Sequence, residues 1–235
     1  MFLFGPGYFE YVLFMLPALI LAGYATILTK VRFSKYSKVS AASGLTGAES
    51  ARRLLDQQGL RDVAVEEVGG FLSDHYDPRT RTLRLSPGVY SSPSLAAIGV
   101  ACHEAGHALQ HATGYKALGL RTALVPAAQI GTYAPYIFFL LGALLNSLLL
   151  IKLGLVMFSL AVLFSLVTLP VEWNASARAK ALMVSSGIVT YEEQADAGKV
   201  LNAAFLTYLA GAVMALMQLL YYLMRFGLIG GRRSD

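Results

Sequence analysis

The sequence is short of cysteine and of charged residues, and both shortages limit what the protein can be. Cys102 is the single cysteine among 235 residues, so neither an intrachain disulfide nor a zinc cluster of several cysteines can form. Only 14% of the residues are charged, whereas an average soluble domain has about a quarter. Because 56% of the residues are apolar, the composition predicts an integral membrane protein. We expect Cys102 to be a small buried residue rather than a nucleophile.

The net charge of +5 does not indicate a nucleic-acid-binding protein. The basic residues stand beside the apolar segments, as Lys30, Arg32 and Lys35 do after the first one. Such residues set the orientation of membrane helices, and the sequence has no basic stretch interleaved with aromatic residues. We therefore expect a lipid bilayer as the surroundings of the chain and no nucleic acid as a partner.

Four apolar stretches are each long enough to cross a bilayer, which takes about 20 residues. They cover about residues 8–28, 125–146, 148–169 and 203–224. Polar inserts lie at about residues 30–120 and 170–199, and Thr190 to Glu193 in the second has the spacing of a capping box, which predicts the start of the last helix there. Four crossings would put both inserts on one face and both termini on the other. Lysine and arginine favour the insert side, which predicts a cytoplasmic location for the inserts. The sequence predicts a single functional unit of 1–235.

The larger insert has the pattern of a small α+β structure. Thr46 to Glu49 has the spacing of a capping box and begins a helix, and Gly59 is suited to end it. Alternating apolar residues predict strands at 63–68 and 82–85, and the segment 71–76 could extend the sheet. A small antiparallel sheet beside a helix is the simplest arrangement.

A second helix in this insert carries most of the histidines. Ser92 is predicted to cap it and Pro93 to be its first residue, and the helix should end near Gly114. His103 and His107 are four positions apart, so on a helix they share one face with a rise of about 6 Å. Two imidazoles at this spacing can bind one metal ion.

Glu104 follows the first of these histidines in the pattern His-Glu-x-x-His. From there it can take a proton from a water held by the metal without itself occupying the metal. Such a short pattern also occurs by chance. The few histidines of this chain and the helix signals around them favour the metal site over that interpretation.

A hydrolytic zinc site uses three protein ligands and keeps one position open. His111 lies about 12 Å along the helix from His103, too far for the same ion, so we expect it to support the ligands or to lie at the membrane interface. Glu172, just past the third apolar stretch, is the favoured third ligand, because an acidic residue at a membrane boundary needs a partner. The alternatives are an exposed Glu172 or an ion pair with Arg178.

Three stretches carry a resemblance to a known family: Leu72-Ser-Asp-His-Tyr-Asp-Pro-Arg79, Leu83-Arg-Leu-Ser-Pro87 and the helix from Ala97 to His111. Together they resemble the bacterial membrane-bound neutral zinc metallopeptidases, and the similarity continues through 201–204 over nearly the whole chain. This family is similar to the gluzincin peptidases, in which a downstream helix supplies a glutamate ligand.

In related membrane peptidases the downstream helix reads Glu-x-x-Ala-Asp. Here Glu172 and Ala175 match that pattern, but Ser176 stands where the aspartate would be. The resemblance therefore implies Glu172 as the third ligand. The aspartate that usually supports the first histidine is replaced, so Asn174, Ser176 or another group has to support it.

The expected protein is an α-helical integral membrane protein with about four transmembrane helices and a small gluzincin-like α+β insert. It would be a zinc-dependent endopeptidase of the bacterial cytoplasmic membrane, with one Zn²⁺ per chain held by His103, His107 and Glu172 and with Glu104 as general base. The substrate would be a peptide or membrane protein at the membrane surface. The partner could also be a second copy of the chain or another membrane protein, and the sequence does not decide between them.

The remaining site predictions concern the borders of the cleft. The strand around residues 71–75 could bind an extended peptide, and an oxyanion partner is expected from His75 or Tyr76. Substrate contacts are predicted for Phe71, Asp74 and Tyr76, and residues supporting the ligands are His111, Asn174, Ser176 and Arg178. The other interpretations are an intramembrane protease, a transporter and a non-catalytic scaffold with a structural metal. The few ionisable residues in the spans disfavour a transporter.

Overall fold

The computed structural model describes residues 6–70 and 73–229, and most of them are helical. In chain order the elements are α1 (Pro6–Tyr36), α2 (Gly47–Gln57), β1 (Ala64–Glu67), β2 (His75–Asp77), β3 (Thr82–Leu85), α3 (Pro87–Tyr90), α4 (Leu95–Ala112), α5 (Lys116–Leu144), α6 (Leu148–Ser185) and α7 (Tyr191–Arg225). Four of them, α1, α5, α6 and α7, are long and apolar enough to cross a membrane. The mostly helical fold with a small sheet is therefore confirmed.

The long helices extend beyond the apolar stretches that predicted them. Helix α6 in particular does not end at Pro170 but continues through it to Ser185. Proline removes one hydrogen bond from the helix ladder and bends it without always ending it, because neighbouring elements can compensate. As a result, the second polar insert is not a separate structure. It consists of the end of α6, a turn and the start of α7.

The chain divides into two compact units. The first contains the described parts of Met1–Tyr24, Leu120–Leu169 and Tyr208–Asp235. It is a unit of helices only, in which Gly131 of α5 lets α6 approach closely, since a Cβ there would lie 2.6 Å from the carbonyl oxygen of Met157. The second unit, Ala25–Gly119 and Pro170–Thr207, contains the sheet, the short helices and every histidine.

The three-stranded sheet has the order β1-β3-β2 and is mixed. Leu83 of β3 pairs with Val65 of β1 in a parallel ladder and with Tyr76 of β2 in an antiparallel one. The prediction of a purely antiparallel sheet was wrong. A tight turn joins β2 to β3 and requires antiparallel pairing, whereas the longer connection after β1 carries the chain to the opposite edge. Strand β2 is thus an edge strand.

Helix α4 begins two residues later than predicted. Its N-cap is Ser94, whose hydroxyl accepts from the backbone N–H of Ala97, and Ser92 instead contacts the Ser94 hydroxyl. The cause is tertiary: Leu95 donates its N–H to Val39, and the carbonyl of Pro93 accepts from Ala41. These bonds hold the chain extended before the helix.

The predicted capping signals elsewhere are confirmed. Thr46 and Glu49 form a reciprocal capping box at the start of α2, and Thr190 with Glu193 does the same for α7. Gly59 follows α2 with φ +77, a conformation that favours glycine. Helix α4 is almost wholly buried from Leu95 to Gln110 and forms the centre of the second unit, with α2 packed against it.

Candidate metal centre

Three side chains converge where α4 meets α6. The Nε2 atom of His103 lies 3.1 Å from Oε2 of Glu172, and the Nε2 atom of His107 lies 3.6 Å from the same oxygen. One donor atom from each of the three lies within 4.8 Å of the others. Four-coordinate zinc with bonds of about 2.0–2.1 Å keeps its ligand atoms about 3.3 Å apart, so the trio could hold such an ion.

The trio is shielded from solvent. Glu172 is 1% exposed and His107 7% exposed, while His103 is half-buried. An ionised carboxylate so deeply buried is unfavourable unless cationic or hydrogen-bonding partners surround it. Here both imidazoles face it, and a bound cation would neutralise its charge. The predicted alternative of an exposed Glu172 was therefore wrong.

Helix α6 reaches the histidines because α4 has no side chain at Gly106. A Cβ on this residue would lie 2.7 Å from the carbonyl oxygen of Ala175, closer than real Cβ contacts. Ala175 is itself fully buried, and it lies one turn after Glu172 on α6. The glycine therefore permits the close helix contact that brings Glu172 to the imidazoles.

We expect Gly106→Ala to lower zinc affinity by more than about tenfold, because the added methyl group pushes the α6 backbone away from α4. Gly99→Ala is the matched control on the same helix, since its Cβ would find its nearest neighbour at an ordinary 3.5 Å. In a helix, alanine is otherwise favoured over glycine by about 1 kcal/mol. Competition with a zinc-binding dye measures both affinities, and equal values for the two variants would remove the spacing role of Gly106.

Each imidazole uses its second nitrogen for a protein contact. Nδ1 of His103 lies 3.0 Å from the hydroxyl of Ser176, and Nδ1 of His107 lies 3.0 Å from Oε1 of Gln110. Both Nε2 atoms are thereby turned towards Glu172. Ser176 thus contacts the first histidine, and its supporting role stays a prediction. Gln110 was missed in the sequence, although its position three residues after His107 places it one turn further along the helix.

Glu104 is half-buried on α4 beside this cluster. Its charge acts on His107: burial lowers the pKa of that imidazole, but the Glu172 carboxylate, 3.6 Å from Nε2, and the charge of Glu104 outweigh this and raise the pKa. A carboxylate close to the trio is available for proton transfer. Cys102 is fully buried, and its burial raises the pKa of the thiol, as expected for a packing residue.

Comparison with known proteins identifies the family. Residues 11–227 match the sequence model of a family described as "Putative neutral zinc metallopeptidase". The chain belongs to this metallopeptidase family. A Bacillus subtilis (strain 168) protein named "Putative membrane protease YugP" is 50% identical over 225 residues, which cover 96% of this chain and 99% of that protein. No solved structure matches the chain. The family resemblance predicted from the sequence is confirmed.

Members of a zinc metallopeptidase family need metal ligands, and in this member the trio is the group among the described residues that could provide them. Asn174 and Arg178 lie behind it on α6. The side-chain oxygen of Asn174 accepts from Gln110 at 3.0 Å and from Nε of Arg178 at 2.9 Å. Both therefore lie within the hydrogen-bond network that reaches His107, and their supporting role stays a prediction.

His111 and Tyr76 form a pair of their own. The Tyr76 hydroxyl lies 2.9 Å from Nδ1 of His111, and the two rings are 5.9 Å apart between centroids. His111 is exposed and is not a member of the trio. The pair links the edge strand β2 to the end of α4, and contact with substrate stays a prediction for Tyr76.

The remaining predicted residues lie around β2. Asp74 accepts from the backbone N–H and the hydroxyl of Ser86, which fixes the loop before β2 to the start of α3. His75 is exposed, with Nδ1 2.7 Å from the carbonyl oxygen of Ser73. Phe71 lies outside the described residues. Substrate contact by Asp74, an oxyanion contact by His75 and the role of Phe71 stay predictions.

Proposed function

We propose that the chain is a membrane-embedded, zinc-dependent endopeptidase that cleaves protein substrates at the membrane surface. The observation that carries this proposal is the convergence of His103, His107 and Glu172, with Glu104 adjacent on α4. Family membership and the "membrane protease" name of the Bacillus subtilis relative agree with it. Among the described residues three donors converge rather than four, which favours a catalytic site over a purely structural one.

The side chains divide the work of peptide-bond hydrolysis. When bound by His103, His107 and Glu172, one zinc ion per chain would polarise the scissile carbonyl and make water more acidic. The Glu104 carboxylate takes a proton from the attacking water and passes it to the nitrogen of the leaving amine. The imidazole of His75 or the hydroxyl of Tyr76 donates a hydrogen bond to the developing oxyanion.

Strand β2 offers a way to hold the substrate. It is one of the two outer strands of the sheet and packs beside α4, a helix that carries His103 and His107. An extended peptide can add to such an edge through backbone hydrogen bonds, which position a bond for cleavage without requiring a particular side chain. A substrate with a proline in the paired segment should therefore bind poorly.

Chelation tests the metal requirement. We expect an excess of a zinc chelator to remove cleavage of an unstructured protein substrate by the detergent-purified chain, because both carbonyl activation and water activation depend on the ion. Stoichiometric zinc should restore the rate, whereas magnesium, which prefers all-oxygen octahedral sites, should not. Full activity of protein shown by elemental analysis to be metal-free would contradict the proposal.

The site is proposed to lie at the level of the lipid headgroups. Trp173 is 55% exposed next to Glu172, and it lies a few residues beyond the apolar part of α6, at a position typical of interfacial tryptophans. As the single tryptophan of the chain, it reports its own depth by fluorescence. In vesicles, we expect lipids brominated near the headgroup to quench it more than lipids brominated at the chain ends, with Trp173→Phe as the background.

Stronger quenching from the bilayer centre would instead place the site inside the membrane.

The bacterial inner membrane as the location and the cytoplasmic orientation of the inserts rest on the resemblance and on the charge bias. The orientation is tested by labelling a Gln58→Cys variant in intact cells with a thiol reagent that cannot cross the membrane, since residue 58 is exposed. Efficient labelling would place the inserts outside the cytoplasm and contradict the proposed orientation.

A further inference from the structure

Gln110 is a fully buried side chain whose amide is satisfied at both ends. Its Oε1 lies 3.0 Å from Nδ1 of His107, and its Nε2 lies 2.8 Å from the carbonyl oxygen of Val171 and 3.0 Å from Oδ1 of Asn174. A primary amide is costly to bury without partners. Here it joins a histidine of α4 to two groups of α6.

Groups with only one hydrogen-bonding role determine which way this amide points. The carbonyl of Val171 can only accept, and the Nε–H of Arg178 can only donate. Arg178 therefore requires the oxygen of Asn174, at 2.9 Å, and the same oxygen faces Gln110. The two groups of α6 that face the Gln110 amide, the Val171 carbonyl and the Asn174 oxygen, are therefore both acceptors. The end of the amide that faces them must be the NH2 group.

The direction of these bonds fixes the proton on His107. With its NH2 group committed to α6, Gln110 presents Oε1 to the imidazole, and Nδ1 must carry the hydrogen of this bond. In the neutral imidazole Nε2 then bears the lone pair, and Nε2 is the atom that faces Glu172 at 3.6 Å. An imidazole binds a metal only through a nitrogen without a proton.

We propose that Gln110 is the positioning residue that holds His107 in its metal-binding tautomer, with the orientation of Gln110 set by Asn174 and Arg178. The role rests on the proposed function, because the exposed lone pair is useful only to a bound ion. The first histidine is held differently: the Ser176 hydroxyl beside His103 rotates and can donate or accept, so it leaves the tautomer of His103 open.

The hydrogen bonds that run from Arg178 through Asn174 to Gln110 require an amide at position 110 but only an acceptor at position 174. In Gln110→Glu, a carboxylate oxygen would face the two acceptor oxygens of α6 and repel them. In Asn174→Asp, the carboxylate can accept from both Gln110 and Arg178, so the orientation of the amide is preserved. If Gln110 and Asn174 merely filled space, both variants would keep wild-type zinc affinity, since both changes are close to isosteric.

The test uses the full chain labelled with ¹⁵N-histidine. The chain contains only four histidines, so few imidazole signals overlap. Imidazole ¹⁵N shifts of the zinc-free protein, recorded where the histidines are neutral, report which nitrogen carries the proton. The His107 signals are identified by their loss in His107→Ala. We expect the Nδ1–H tautomer in the wild type and in Asn174→Asp, and the Nε2–H tautomer or a mixture in Gln110→Met.

Zinc affinity provides the second readout. Residues that orient a metal ligand change affinity by about 10–100-fold when replaced. We expect losses of that size in Gln110→Met and Gln110→Glu, and an affinity within about threefold of wild type in Asn174→Asp. Should Gln110→Met fail to fold, Gln110→Leu replaces it, with the same expected losses.

The two hypotheses fail in distinguishable ways. A wild-type tautomer together with wild-type zinc affinity in Gln110→Met would overturn the positioning role while leaving the zinc site intact. A wild-type chain that binds no zinc would overturn the proposed function. In that case the ¹⁵N shifts would still show whether Gln110 sets the tautomer.

Discussion

Glu104→Gln is expected to lower the turnover number for peptide cleavage by about 10²–10⁴-fold, the range that a general base contributes. Glutamine has nearly the same shape but cannot take a proton from the attacking water. The three donors that converge are His103, His107 and Glu172, so the variant should keep its zinc. Initial rates of substrate cleavage, measured beside the zinc content of the same preparation, separate the two effects.

The matched control is Glu67→Gln, which makes the same change at an exposed residue of β1 and should keep full activity. Unchanged turnover in Glu104→Gln would remove the proton-transfer role of this residue. Loss of zinc together with activity would instead make Glu104 a ligand, and the assignment of the third ligand would have to be revised.

Glu172→Gln is expected to weaken zinc binding by more than about 100-fold, beyond the loss typical of residues that only support a ligand. The substitution replaces an anionic donor with a neutral amide at a position that is 1% exposed, where water cannot take its place. Two imidazoles alone would then face the ion. Cleavage should disappear at zinc concentrations that saturate the wild type.

Isothermal titration of zinc into the metal-free protein measures this effect, with Glu67→Gln again as the control. Thermal unfolding in the absence of metal checks that the variant is folded. Zinc affinity equal to that of the wild type in Glu172→Gln would show that the third ligand lies elsewhere, and the acidic residues around β2 would be the next candidates.

The part of the site that could be predicted from the sequence is the part set by local geometry. His103 and His107 share a helix face because of the helical period alone, and Glu104 follows from its place beside the first of them. Glu172 lies on another helix, so it was found from its unusual place at the end of an apolar stretch and from the family resemblance. The structure brings these residues together.

Gln110 could not be found in this way. Its importance depends on which α6 groups lie opposite, namely Val171 and Asn174, and that register is decided by how closely α6 packs against α4. The close packing in turn depends on Gly106, a residue that is also common in ordinary apolar helices. Contacts between helices distant in sequence leave no periodic pattern that a single sequence could reveal.

The fold shows the same division between local and distant causes. Both capping boxes were correct, because Thr46 and Thr190 each contact a residue three positions away. The start of α4 was wrong because backbone bonds to residues 39–41 keep the preceding segment extended. The predicted antiparallel pairing of β1 was wrong because β1 pairs not with the next strand, β2, but with β3, which lies beyond β2 in the chain.

X-ray absorption at the zinc edge, recorded on the purified wild-type chain, tests the central claim most directly. The account predicts one zinc per chain with two imidazole nitrogens and additional oxygen donors at about 2.0–2.1 Å, and loss of one imidazole signal in His103→Ala and in His107→Ala. A fully metal-loaded chain whose zinc showed no imidazole coordination, or whose spectrum was unchanged by either substitution, would contradict it.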